Sequence, residues 1–163
     1  MSTQNDYEII DRFKETAPVD VQALAEALGL SVWEDEELPV GISGKLFQDP
    51  ENSTPSGYSI SVRAHDPYVR KRFTVAHEIA HFVLHRNKVG ASLTDNEFYR
   101  SNLSSWEEVE ANRLAANILI PRKLLVSYIN THGDNPAVLA NIFRVSEAAM
   151  RIRLGAKAGV GVS

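Results

Sequence analysis

Apolar residues recur along this chain with two different periods, and the switch between them sets out the order of its elements. Ile9, Ile10 and Phe13 form a stripe at helical spacing, which predicts a short helix over residues 7–16. Pro18 ends it, and Asp20 is placed to cap a second helix over 21–28, which Gly29 closes. Three β-like segments follow, at 30–33, 42–47 and 58–63. The last alternates, with Tyr58, Ile60 and Val62 on one side and Ser59, Ser61 and Arg63 on the other. Residues 48–57, rich in Pro, Asn, Ser and Gly, read as a loop. Helical spacing then returns over 67–86, 104–120, 121–131 and 136–154. Ser104 or Ser105 serves as the N-cap of the second of these, and Pro121 opens the third. The fourth divides into two short helices joined at 144–146. A polar linker, 87–103, separates the first two.

Helices, then strands, then helices is the element order that this pattern predicts. A chain of 163 residues and 18.1 kDa supports one core. The reading is one domain over 1–163, with a helical C-terminal segment at about 134–157. A net charge of −4 excludes a molecule that binds nucleic acid through its overall charge. Without cysteine there is no disulfide, thiolate metal site or cysteine nucleophile, which fits a reducing compartment. The polar, acidic start, Met1 to Glu8, is no secretory signal, and no apolar run approaches the roughly 20 residues that span a bilayer. A cytoplasmic protein without a membrane segment is expected.

The chemistry lies in His77-Glu78-Ile79-Ala80-His81, an H-E-x-x-H pattern. Two histidines four apart stack on one helix face, so both imidazoles reach one ion, and the adjacent carboxylate points at its water. Zinc lowers the pKa of such a water to about 7, and the carboxylate can take its proton during attack on a peptide carbonyl. An exposed helix face can spell the same letters by chance, but the helical wheel opposes that. With His77 at zero, His81, His85 and Glu78 fall at about 40°, 80° and 100°, while Val75, Ala76, Ile79, Phe82 and Val83 fall at about 140–260°. One arc packs and the other is left for metal; only Ala80 and Leu84 blur the division. His85 lies about 12 Å along the axis from His77, too far to share an ion, so it reads as a packing or supporting residue.

A catalytic zinc takes three protein ligands and keeps a position open. The acidic start of the next helix, Glu107, Glu108 and Glu110, is the best source of the third. Glu110 sits at the border of that helix's buried stripe, Glu108 inside it, and Glu107 one turn before Glu110. Any of the three can equally be a charge that complements the helix N-terminus, and spacing gives Glu110 only a slight lead.

The segment Arg72-Phe73-Thr74-Val75-Ala76-His77-Glu78-Ile79-Ala80-His81-Phe82-Val83-Leu84-His85 resembles the signature of the ImmA/IrrE family of zinc-dependent peptidases, a gluzincin-type H-E-x-x-H…E arrangement. Glu110-Ala111-Asn112-Arg113-Leu114-Ala115-Ala116, running to Leu119-Ile120-Pro121, is similar to the family's second signature. Pro18-Val19-Asp20 and Val145-Ser146 into Met150-Arg151-Ile152-Arg153-Leu154 agree at the flanks. The resemblance implies a metallo-endopeptidase that binds Zn2+ through His77, His81 and Glu110, with Glu78 as catalytic base. It implies an α+β fold, helices packed around a small antiparallel sheet of about three strands with the active site between two helices, and a protein substrate, commonly a helix-turn-helix (Xre-type) repressor or antitoxin. Cleavage of that partner derepresses stress, mobile-element or phage-defence genes. Longer members carry a sensory domain that this chain has no room for, so DNA or a partner protein is the expected trigger. Residues 58–63 are expected to offer an edge for an extended substrate.

Two further readings stand beside this one. The segment from Leu139 to Ala149 has the cadence of a helix-turn-helix, with Arg144, Arg151, Arg153 and Lys157 nearby, as in a DNA-binding regulator. Two packed helices with a solvated basic face explain it more simply. An inactive interaction partner is the third reading, and the retained Glu78 argues against it. By residue type alone, Tyr99, Tyr128 and His132 are candidates to stabilise an oxyanion. None is assigned.

Overall fold

Helix ends fall where local hydrogen bonds stop the chain. In the computed structural model, which describes residues 3–88 and 105–155, Asp20 caps helix α2 (Val21–Ala27) by accepting from the Ala23 amide at 3.0 Å. Gly29 follows at φ +87°, a conformation that a side chain disfavours. The first helix, α1 (Thr3–Arg12), starts earlier than its stripe suggests and ends earlier too. Phe13 N–H bonds back only three residues, to the Ile10 carbonyl, and closes it.

Three strands form one sheet in the order β1 (Ser31–Asp35), β3 (Tyr58–Arg63), β2 (Gly44–Gln48). The sheet is mixed, not all antiparallel: β2 runs antiparallel to β3, and β1 runs parallel to it. The connection from β1 carries the chain across to the far side of β3, which leaves β1 and β3 pointing the same way. Strand β3 is therefore central. Both its edges are paired, so the expectation that it offers an edge to substrate is dropped. The central place also explains why its polar side is covered. Ser59 is fully buried and donates to Asp49 Oδ2 at 2.6 Å, and Asn52 holds that carboxylate from the other side at 2.9 and 3.0 Å.

Helix α3 (Tyr68–His85) crosses the sheet and packs against α1, α2, β2, β3 and α4 (Ser105–Leu119). Three shorter helices complete the described chain: α5 (Arg122–His132), α6 (Pro136–Phe143) and α7 (Glu147–Arg153), so the α+β expectation holds with seven α-helices among the described residues. One apolar core runs from Ile9 to Met150, with Ile60, Leu46, Ile79, Phe82, Ile118, Leu139 and Phe143 at its centre. The linker at 87–103 lies mostly outside the described residues. No described helix is long and apolar enough to cross a membrane.

Gly44 has a steric reason. A Cβ there would stand 2.4 Å from Thr74 Cγ2 and 2.7 Å from the Ser61 carbonyl oxygen, so β2 reaches α3 only because that side chain is missing. Arg72 has an electrostatic one. Buried to 6% exposure, its guanidinium donates to the carbonyls of Val19 (2.8 Å), Arg144 (3.0 Å) and Phe143 (3.3 Å). One cation thus ties α3 to the approach of α2 and to the turn between α6 and α7, where Arg144 sits at φ +57°. Replacing it strands buried carbonyls, each costing about 1–3 kcal/mol. Arg72→Met is expected to lower the unfolding free energy by about 2–4 kcal/mol, seen as a lower urea midpoint at unchanged slope. A midpoint equal to wild type would show that water replaces the guanidinium without cost.

Helices α6 and α7 meet through Leu139, Phe143 and Met150, all fully buried. Arg151 pairs with Glu147, while Arg153 donates to the Ile120 carbonyl and to Asn117 Oδ1, both at 2.9 Å. Burial lowers the pKa of Arg153, with Arg122 adding to the effect. The two helices form a packed pair, with Arg144 between them and Arg151 on α7 exposed; Lys157 lies outside the described residues.

Candidate metal centre

The i, i+4 spacing on α3 does what helix geometry requires. His77 Nε2 and His81 Nε2 stand 3.1 Å apart, and His77 stacks on Phe73 one turn earlier, ring centroids 5.9 Å apart. Glu78, next to His77, is 1% exposed. The polar arc of α3 is not open to water, as a wheel of α3 alone suggests. Helix α4 lies against it, so His81 is fully buried and His85 is 6% exposed.

Each of the three acids at the start of α4 meets a different base. Glu107 pairs with Lys88, beyond the end of α3. Glu108 places Oε1 3.4 Å from His77 Nε2 and Oε2 3.5 Å from His81 Nε2. Glu110 places Oε1 3.3 Å from His85 Nε2. The structure therefore joins His77 and His81 with Glu108, where Glu110 was expected; Glu110 sits one position along the same row of histidines. The reason is the rotation of α4, which turns its buried stripe onto α3, and the wheel had put Glu108 within that stripe.

The donor set suits a small divalent ion. The three ligand atoms of His77, His81 and Glu108 all lie within 4.8 Å of one another. A tetrahedral zinc with bonds of about 2.0–2.1 Å holds its ligand atoms about 3.3 Å apart. The contacts of 3.1, 3.4 and 3.5 Å bracket that value. Two imidazoles and a carboxylate are also ligands that zinc accepts, and three protein ligands leave one place open.

Beside the triad, His77 and Glu78 line a cleft of about 490 Å³ whose other walls include Phe73 and Thr74 of α3 and Gly44 and Lys45 of β2. In the order β1-β3-β2, strand β2 is the edge on this side among the described residues. The cleft-lining Phe73 and the edge strand β2 are site features that the sequence reading did not identify; the close packing at Gly44 was their one local trace. Of the oxyanion candidates, Tyr128 and His132 stack on each other on α5, with Tyr128 against Phe143, and neither lines the cleft. Tyr99 lies outside the described residues. On the far side of the histidine row, burial pushes the Tyr7 phenol above its ordinary pKa, and the charges of Glu110 and Asp6 push it further.

No curated protein matches the chain. Among solved structures, it is similar in fold to a Mycobacterium tuberculosis transcriptional regulator, with TM-score 0.58 and 17% sequence identity. That match covers 93% of this chain and 47% of the other, so the chain spans about half the length of that protein. The model of one protein family, described as Peptidase_M78, IrrE N-terminal-like domain, matches residues 25–155. That stretch holds the sheet, the histidine row of α3 and the acidic turn of α4, and by this match the chain belongs to the IrrE N-terminal-like family of peptidases.

Proposed function

We propose that the chain is a zinc-dependent endopeptidase that cleaves a helix-turn-helix (Xre-type) repressor or antitoxin partner in the cytoplasm, and so derepresses stress, mobile-element or phage-defence genes. The observation that carries the chemistry is the meeting of His77, His81 and Glu108 at the wall of a cleft that Glu78 also lines. His77 and His81 would hold the ion through Nε2, and Glu108 would be its third ligand. Zinc, when bound there, supplies a Lewis acid that lowers the pKa of water to about 7 and polarises the scissile carbonyl. Glu78 accepts the proton of the attacking water and returns it to the leaving amine nitrogen. It is buried and, with His77, lines the cleft. An extended substrate lies along β2, whose alternate main-chain groups, those of Gly44 among them, point away from β3 and can pair with it as an added strand.

A repressor as substrate is what the ImmA/IrrE resemblance implies, and the name of the matched Mycobacterium tuberculosis regulator supports a setting in gene control. DNA or the partner itself is the proposed trigger. The test is to incubate the zinc-loaded protein with the small helix-turn-helix protein encoded beside its gene, with and without DNA. Discrete fragments are expected, suppressed by 1,10-phenanthroline and restored by added zinc. A repressor that stays whole in every arm, or fragments that persist in the chelator, would sink the proposal.

A further inference from the structure

The histidine row does not stop at the metal triad. His81 Nδ1 lies 3.0 Å from His85 Nδ1, and His85 Nε2 lies 3.3 Å from Glu110 Oε1. His81 and His85 are both buried, so the contact between them is made away from water, while the Glu110 end is partly exposed. From the geometry we infer that His85 and Glu110 are positioning residues: a hydrogen-bonded chain from Glu110 through His85 that fixes which nitrogen of His81 is free to bind the ion. The inference rests on the metal-centre reading above.

Proton counting makes the chain directional. A neutral imidazole carries one N–H and one lone pair. If His81 offers the Nε2 lone pair to an ion, its proton sits on Nδ1 and must find an acceptor. The only atom His85 brings within reach is Nδ1, which accepts only if the His85 proton is on Nε2. That proton points at Glu110, and a carboxylate can only accept it. One carboxylate at the end of the chain thus selects the tautomer of both rings. Metal-binding histidines commonly give their second N–H to an outer acceptor, and loss of that acceptor typically costs 10- to 100-fold in metal affinity. His77 has no comparable support: its Nδ1 is buried without a hydrogen-bond partner among the described residues. The outer support of the pair therefore falls on His81.

The test is the zinc dissociation constant of the full chain, measured by competition with a chromophoric chelator, for wild type, His85→Phe, His85→Asn and Glu110→Gln. His85→Phe keeps a packed ring and removes both contacts; about 10- to 100-fold weaker zinc binding is expected. His85→Asn keeps an acceptor facing His81 Nδ1 and should recover part of the loss. Glu110→Gln, on a half-exposed side chain that the fold tolerates losing, should weaken binding by a smaller factor. It also keeps the question decidable if His85→Phe does not fold. Long-range nitrogen-15 NMR of the metal-free protein gives a second readout, in which wild-type His81 carries its proton on Nδ1 and Glu110→Gln shifts that population. If wild type binds zinc but the folded variants bind it equally well, within about twofold, the chain has no such role and only this inference falls. If wild type binds no zinc, the metal-centre reading falls with it.

Discussion

On the proposed zinc-peptidase mechanism, Glu78→Gln is expected to retain zinc as wild type does and to cleave the proposed repressor substrate about 100- to 10,000-fold more slowly, the range that a positioned general base contributes. The amide matches the carboxylate in shape, so the 1%-exposed site keeps its packing, and the adjacent His77 keeps its place on the helix. What is lost is the ability to accept a proton, since an amide oxygen is far too weak a base. Glu78 stands outside the three donor atoms that converge, so metal content should not follow activity. Zinc per chain, measured by elemental analysis, and single-turnover cleavage rates separate the two effects. Cleavage at the wild-type rate would remove Glu78 from the chemistry. Parallel loss of zinc and activity would make it a structural support of the centre.

The second large effect concerns the third ligand. Glu108→Ala leaves two imidazoles and should weaken zinc binding by more than the 10- to 100-fold expected for a supporting group. Glu110→Ala should fall within that smaller range. Glu107→Ala, which loses a pairing with Lys88 at the edge of the site, should bind as wild type. This ranking separates the geometry from the family resemblance, which points to Glu110. Zinc lost in Glu110→Ala and kept in Glu108→Ala would restore Glu110 as ligand and mean that α4 turns relative to α3 when the ion binds. The 3.4 and 3.5 Å approaches of Glu108 to the two histidines make the opposite outcome the expected one.

Much of the frame was legible because it depends on near neighbours. Asp20, Asn135 and Ser146 cap α2, α6 and α7 through their own side chains, and each cap is a matter of two or three residues. Pro136 and Arg144 likewise bound α6 as its spacing predicts. The span of β3 was visible in its alternation, but its neighbours were not. Its serines look solvent-facing until a second layer covers them, and strand direction leaves no periodic trace.

By itself, the sequence determines that His77 and His81 share a helix face with Glu78 beside them, because 3.6 residues per turn is a property of the backbone and needs no partner. It also determines that an acidic turn is available to meet them. Which acid arrives was decided only in the folded molecule. Glu108 and Glu110 both reach the histidine row of α3, and the way α4 docks there decides which histidines each one meets. That docking depends on apolar packing across the whole interface, on Ala111, Ala115 and Ile118 among others, and no local rule encodes it. The edge position of β2 and the link from His81 through His85 to Glu110 belong to the same class: contacts between distant segments, set by how the layers pack.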